Sequence, residues 1–264
     1  MSWWIAYLAI GLAVGFFAGL LGIGGGAVMV PMLVLAFTAQ GLPAEHLMHI
    51  ALGTSMASIM FTSISSMRAH HAHGAVDWGI AQAMAPGILT GSFCAAVLAG
   101  FIPTRPLAVM FTGLVFYAAT QVLFDLRPKG TRDLPGPAGL FAAGTFIGGV
   151  SSLLAAGGAF LCIPFLAWCD VPLRRAIGTA SAVGLPIAIA GTAGYILQGL
   201  RAEGLPAATL GYVYLPALVL IVATSMLAAP LGARIAHRLP VRRLRIVFAL
   251  LLYALAARML AGLW

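Results

Sequence analysis

Charge is what this chain has least of. Lys, Arg, Asp and Glu together make up 8% of its 264 residues, and only six positions are acidic. A soluble domain carries about a quarter of its residues as charged groups, so a water-facing surface is excluded for most of the chain. The six acids are Glu45, Asp77, Asp125, Asp133, Asp170 and Glu203, and all fall between apolar stretches or at their ends. A cation pathway or proton relay needs carboxylates at mid-membrane depth, and none stands there. Only three cysteines occur, Cys94, Cys162 and Cys169, each inside an apolar stretch. They read as small buried hydrophobes rather than as disulfide partners or metal ligands. No Ser/His or Asp/Asp pair recurs at matching depth, which speaks against an intramembrane hydrolase. An enzyme, a cofactor and a metal are therefore not expected.

What is present is apolar. Hydrophobic residues make up 62% of the chain, and the net charge is +8. The basic residues are scattered over short connections, with no separate domain to hold a duplex. The expected partner is thus a lipid bilayer and not nucleic acid. Ten apolar segments can be drawn, at about 2–22, 26–40, 47–66, 78–100, 107–125, 138–156, 158–169, 175–198, 208–229 and 244–262. The start, Met1-Ser-Trp-Trp-Ile, lacks a positive n-region and reads as a first helix. The fold class is an all-α polytopic membrane protein.

The chain also contains itself twice. Gly11 to Leu33 lies over Gly144 to Leu166 without a gap, sharing Gly11/Gly144, Gly15/Gly148, Gly24/Gly157, Gly25/Gly158 and Pro31/Pro164. Ala51-Leu-Gly-Thr54 is echoed by Ala176-Ile-Gly-Thr179. Two repeats of about five segments are expected, 1–126 and 138–264, joined by a polar, turn-rich linker at 127–137. An odd segment number per repeat makes the second copy inverted.

The second and seventh segments are too short to cross a core of about 30 Å at about 1.5 Å per residue. Charge argues that they cross all the same. With ten crossings, Arg68, Arg127, Lys129, Arg132, Arg174, Arg175, Arg234, Arg238, Arg242, Arg243 and Arg245 share one side, leaving Arg105, Arg201 and Arg258 on the other. The positive-inside rule then makes the first side cytoplasmic and puts both termini in the periplasm. A count of eight, in which the two short segments enter and leave on one side without crossing, is the alternative.

Two duplicated motifs can carry chemistry. Gly24-Gly25-Gly26 with Pro31, and Gly157-Gly158 with Pro164, read as helix breaks to which both the glycines and the prolines contribute. Freed N–H groups at a helix start, with the positive end of its dipole, attract an anion without any Lys or Arg. Glycines at Gly11, Gly15 and Gly19, and Gly144 and Gly148 with Ser152, lie four apart and read instead as helix-packing faces. The second motif, Gly53-Thr54-Ser55 and Gly178-Thr179 with Ser181, suggests another break whose hydroxyls donate to an oxyanion. The bland alternative is a hydroxyl bonded to its own helix. His49 and Arg174 stand ahead of the two copies, able to guide an anion or to anchor at headgroups. The run Arg68-Ala-His70-His71-Ala-His73 reads as a solvated loop rather than a metal site.

The paired motifs, Gly22 to Pro31 and Ala51 to Ser55 with their weaker second copies, resemble those of the TauE/SafE sulfite exporter family over nearly the whole chain. The resemblance implies a transporter in the bacterial inner membrane for sulfite, thiosulfate or an organosulfonate. Alternating access between the repeats is the expected mechanism, and a passive anion channel is the alternative. The second copy departs from the pattern, reading Ala155-Ala156-Gly157-Gly158-Ala159.

Overall fold

A computed structural model describes residues 3–21, 25–124, 130, 132–236 and 241–262. Among these residues there are ten helices: α1 (Trp3–Leu21), α2 (Gly26–Gln40), α3 (Leu47–Ala72), α4 (Trp78–Ala99), α5 (Thr104–Phe124), α6 (Pro137–Leu153), α7 (Ala159–Trp168), α8 (Leu173–Gly199), α9 (Leu215–Ala236) and α10 (Val241–Ala261). Their bounds follow the apolar segments closely. In hydrocarbon a chain must satisfy its backbone groups internally, and an apolar run long enough to be buried there can do so only as helix. The protein is an all-α polytopic membrane protein, and α3, α4, α5 and α8 are long and apolar enough to span a bilayer. One feature was not anticipated. Just ahead of α9 a short antiparallel ribbon forms between β1 (Thr209–Leu210) and β2 (Val213–Tyr214), pairing Thr209 with Tyr214.

Side-chain contacts sort the loops onto two faces. On the first face, the Tyr7 hydroxyl at the start of α1 donates to Gln40 Oε1 at the end of α2, and its ring packs edge-on against Phe37. Tyr214 joins the same group, so the start of α9 lies there too. His46 bonds to the Glu203 carbonyl, and Gln198 donates to the Val97 carbonyl, which adds the start of α3 and the ends of α4 and α8. On the opposite face, Arg174 donates to the His73 carbonyl, and the Arg132 N–H reaches the Trp168 carbonyl.

Both α1–α2 and α6–α7 are consequently hairpins, each leaving on the face where it entered. The Tyr7–Gln40 bond keeps the start of α1 and the end of α2 on one face. The side of every later loop is the same whether or not the hairpins reach across.

Packing between elements comes in matched sets: α1 runs along α9 and α4 along α6, while α3 lies against α8 and α5 against α10. The first two sets are close because of the small residues read as packing faces. A β-carbon on Gly11 would lie 2.8 Å from the Ile221 carbonyl oxygen, and one on Gly15 would lie 2.8 Å from the Ser225 carbonyl carbon. On the other pair, β-carbons on Gly144 and Gly148 would each meet a carbonyl oxygen of α4 at 2.6 Å, that of Met84 and of Ile88. Backbones approach this closely only where no side chain intervenes.

Candidate functional site

The site is best built from the two hairpin tips. Gly25 caps the start of α2 at φ 66°, and Gly158 caps the start of α7 at φ 80°. Both are left-handed conformations that a β-carbon disfavours, which accounts for a glycine at each. Ala155, also at the second tip, has φ 46° despite its β-carbon. That geometry costs about 1–2 kcal/mol for a non-glycine residue, and it occurs where the second copy departs from the glycine-rich pattern. Gly24, expected at the first break, lies outside the described residues.

The two tips touch. A β-carbon on Gly26 would overlap the Ala155 carbonyl oxygen, and would lie 2.8 Å from both the Ala155 carbonyl carbon and Ile59 Cδ1. The meeting point is deep. Ile59 is midway along α3, and Val183 and Ile187, which flank Gly158, are midway along α8. From this point α2 runs to one face and α7 to the other, so two helix starts look at each other across the centre. At the second tip the last carbonyls of α6 are already taken, since Leu154, Ala155 and Ala156 donate back to Val150, Ser152 and Ser151. At the start of α7 the Leu161 and Cys162 N–H groups share the Gly158 carbonyl, and those of Ala159 and Phe160 have no acceptor among the described residues. These two donors at the positive end of the helix suit an anion.

Two expectations need correction. Pro31 and Pro164 do not break their helices: α2 and α7 continue through both. The breaks lie six residues earlier, at the glycine caps, and each proline merely removes one donor and frees the carbonyl four residues before it. Gly53–Ser55 and Gly178–Ser181 are not breaks either, because α3 and α8 are uninterrupted there.

The threonines of that motif accept backbone N–H groups from other segments. Thr54 Oγ1 accepts the Tyr214 N–H at 2.9 Å, and Thr179 Oγ1 accepts the Asp77 N–H at 3.0 Å. The glycine before each makes room for the incoming chain: a β-carbon on Gly53 would be 2.6 Å from the Tyr212 carbonyl oxygen, and one on Gly178 2.5 Å from the Ala75 carbonyl carbon. Each Gly-Thr pair thus clamps the segment leading into α9 or α4, one on each face of the bundle. Of the other hydroxyls, Ser181 donates to its own helix at Gly178, while Ser55 is buried without a partner among the described residues.

His49 and Arg174 also brace loops. The His49 ring donates to the Ala99 and Ile102 carbonyls and stacks on Tyr212. It helps to line a cleft on the first face with Glu45, Thr104 and Arg105.

Sequence reasoning missed Ser63 and Ser151. Both are buried, and neither hydroxyl has a partner among the described residues. Ser63 Oγ lies 4.0 Å from where a β-carbon of Gly157 would stand, and Ser151 Oγ is at the same distance from that of Gly158. A search by duplication passes over them, since the equivalent positions in the other copy are Ala188 and Ala18.

Comparison with known proteins agrees with a membrane transporter. A probable membrane transporter protein of Haemophilus influenzae is 36% identical over 254 residues, covering 96% of each chain. A probable membrane transporter protein of Bacillus subtilis, YdhB, is 28% identical over 86% of this chain and 87% of its own length. No solved structure matches the chain. Residues 7–259 match the family model described as Sulfite exporter TauE/SafE, and the chain belongs to that family.

Proposed function

We propose that this protein is a secondary transporter carrying a small sulfur-containing anion, such as sulfite, thiosulfate or an organosulfonate, outward across the bacterial inner membrane. The observation that carries the reading is the meeting of the two hairpin tips at the centre of the bundle, where the start of α2 at Gly26 touches Ala155 just ahead of α7. Backbone donors at glycine-opened starts recognise an anion without a buried cation, and a site between such starts is the arrangement transporters use. The family description supports the chemistry of the cargo and its direction.

In this proposal residues 1–126 and 138–264 are inverted repeats joined by the linker 127–137. The matched packing of α1 on α9 and α4 on α6 supports that view. Rocking of one half against the other exposes the centre to each side in turn, and the two Gly-Thr clamps hold the walls on either face. The face bearing Arg68, Arg132, Arg174 and Arg175 is cytoplasmic, and both termini are periplasmic.

Flux into proteoliposomes tests the mechanism. A carrier saturates with anion concentration at low turnover. A current that keeps rising with concentration would overturn the carrier in favour of a passive channel.

A further inference from the structure

The two tips are not chemically equal, and the difference locates the anion. Around the α6–α7 tip, Ser63 comes from α3 and Ser151 from α6, and Gly184 of α8 lets its helix pack closely against Gly157 and Ser63. A β-carbon on Gly184 would stand 3.1 Å from Ser63 Oγ and 2.9 Å from the Gly157 carbonyl oxygen. One on Gly157 would find only Ile59 and Ser63, at 3.7 and 4.0 Å, so that side of the backbone is open. The corresponding positions at the α1–α2 tip are Ala188, Ala18 and Ile59. None of these three carries a hydroxyl, whereas the cap glycines are filled alike: a β-carbon on Gly25 would lie 2.9 Å from Val14 Cγ1, and one on Gly158 2.5 Å from Ile187 Cδ1.

Ser63 is 8% exposed and Ser151 2%, and their hydroxyls lack partners among the described residues. A buried hydroxyl without a partner carries a desolvation cost, which a bound acceptor removes. The neighbouring hydroxyls of Ser55, Ser58 and Ser152 are sealed off entirely, whereas Ser63 keeps some open surface.

Building on the transport reading above, we infer that the anion binds at one place only. It lies off the pseudo-twofold axis, against the α6–α7 tip, with the Ser63 and Ser151 hydroxyls as its side-chain donors. The site offers donors and no carboxylate among the described residues near it. Its ligand class is therefore an oxyanion with several free acceptor oxygens and no ammonium group. Sulfite and sulfoacetate fit; a zwitterion such as taurine does not, since its cation would be buried unpaired.

The test is equilibrium binding of sulfite, sulfoacetate and taurine to the purified full-length protein in detergent, with melting temperature read alongside. Ser63→Ala and Ser151→Ala each remove one donor to a charged group, and each should weaken sulfite binding by about tenfold to a hundredfold. Their melting should be unchanged, since no protein hydrogen bond is lost. Gly157→Ala puts a methyl into the open space at ordinary contact distance, and it should also weaken binding without lowering melting. Ala188→Ser, at the equivalent position of the other copy, should leave affinity unchanged. Wild-type affinity in both serine variants, or an equal gain from Ala188→Ser, would overturn the off-axis site while leaving the carrier intact. Failure of the unaltered protein to bind any of the three anions would instead remove the transport reading, and this assignment with it.

Discussion

Replacing Gly26 by Ala is the sharpest test of whether the two tips must touch. Its φ is not left-handed, so backbone strain does not enter and the effect is steric. The new methyl would overlap the Ala155 carbonyl oxygen and stand 2.8 Å from Ile59 Cδ1. Carbon atoms pack at about 3.5–4.0 Å, and clearing the overlapped carbonyl oxygen takes more still, so the α1–α2 tip must withdraw by more than about 1 Å. Overpacking a tight core costs about 1–3 kcal/mol. For a chain of this size each kcal/mol moves the melting temperature by about 2–4 °C, so melting should fall by several degrees.

Transport should suffer more than stability. A displacement of about 1 Å at a positioned site can cost up to about a hundredfold in rate, and at least a tenfold loss of proteoliposome flux is expected. Gly157→Ala is the control for folding, because its methyl meets Ile59 and Ser63 at ordinary distances of 3.7 and 4.0 Å. The two glycines thus predict opposite melting behaviour at one location. A Gly26→Ala protein that melts and transports as the unaltered one does would refute the contact between tips as the basis of the site.

Two further predictions follow from the clamps and the faces. Thr54→Val and Thr179→Val each strand a backbone N–H, of Tyr214 and Asp77 respectively. Each should lower stability by about 1–3 kcal/mol, nearly additively because the clamps lie on opposite faces, with anion affinity held within about twofold. Lost affinity at unchanged melting would mean that the threonines donate to the anion after all. For orientation, cysteines at the exposed positions Glu203 and His73 should label from opposite sides of the membrane, Glu203→Cys from the periplasm and His73→Cys from the cytoplasm. Labelling of both from one side would sink the two-face arrangement.

Composition and periodicity alone determined that this is a helical membrane protein, because an apolar chain in hydrocarbon has no other way to satisfy its backbone at each of ten segments. The positions of the helix starts at Gly25 and Gly158 were legible too, since a left-handed cap without a β-carbon leaves glycine as its mark. The packing role of Gly11, Gly15, Gly144 and Gly148 could be read from their spacing of four. Direction and company could not. Whether α2 continued away from α1 or turned back on it depends on Tyr7 meeting Gln40, a pairing of residues far apart in the chain. Pro31 and Pro164 looked like breaks because a missing N–H is visible in the sequence, whereas the surrounding helices that tolerate it are not. Thr54 and Thr179 showed the same limit: a hydroxyl on a helix has one acceptor oxygen, and only the folded chain decides which N–H arrives there. Ser63 was invisible for a related reason, since it belongs to one copy of the repeat but serves the tip of the other, and no local pattern records a contact made across the bundle.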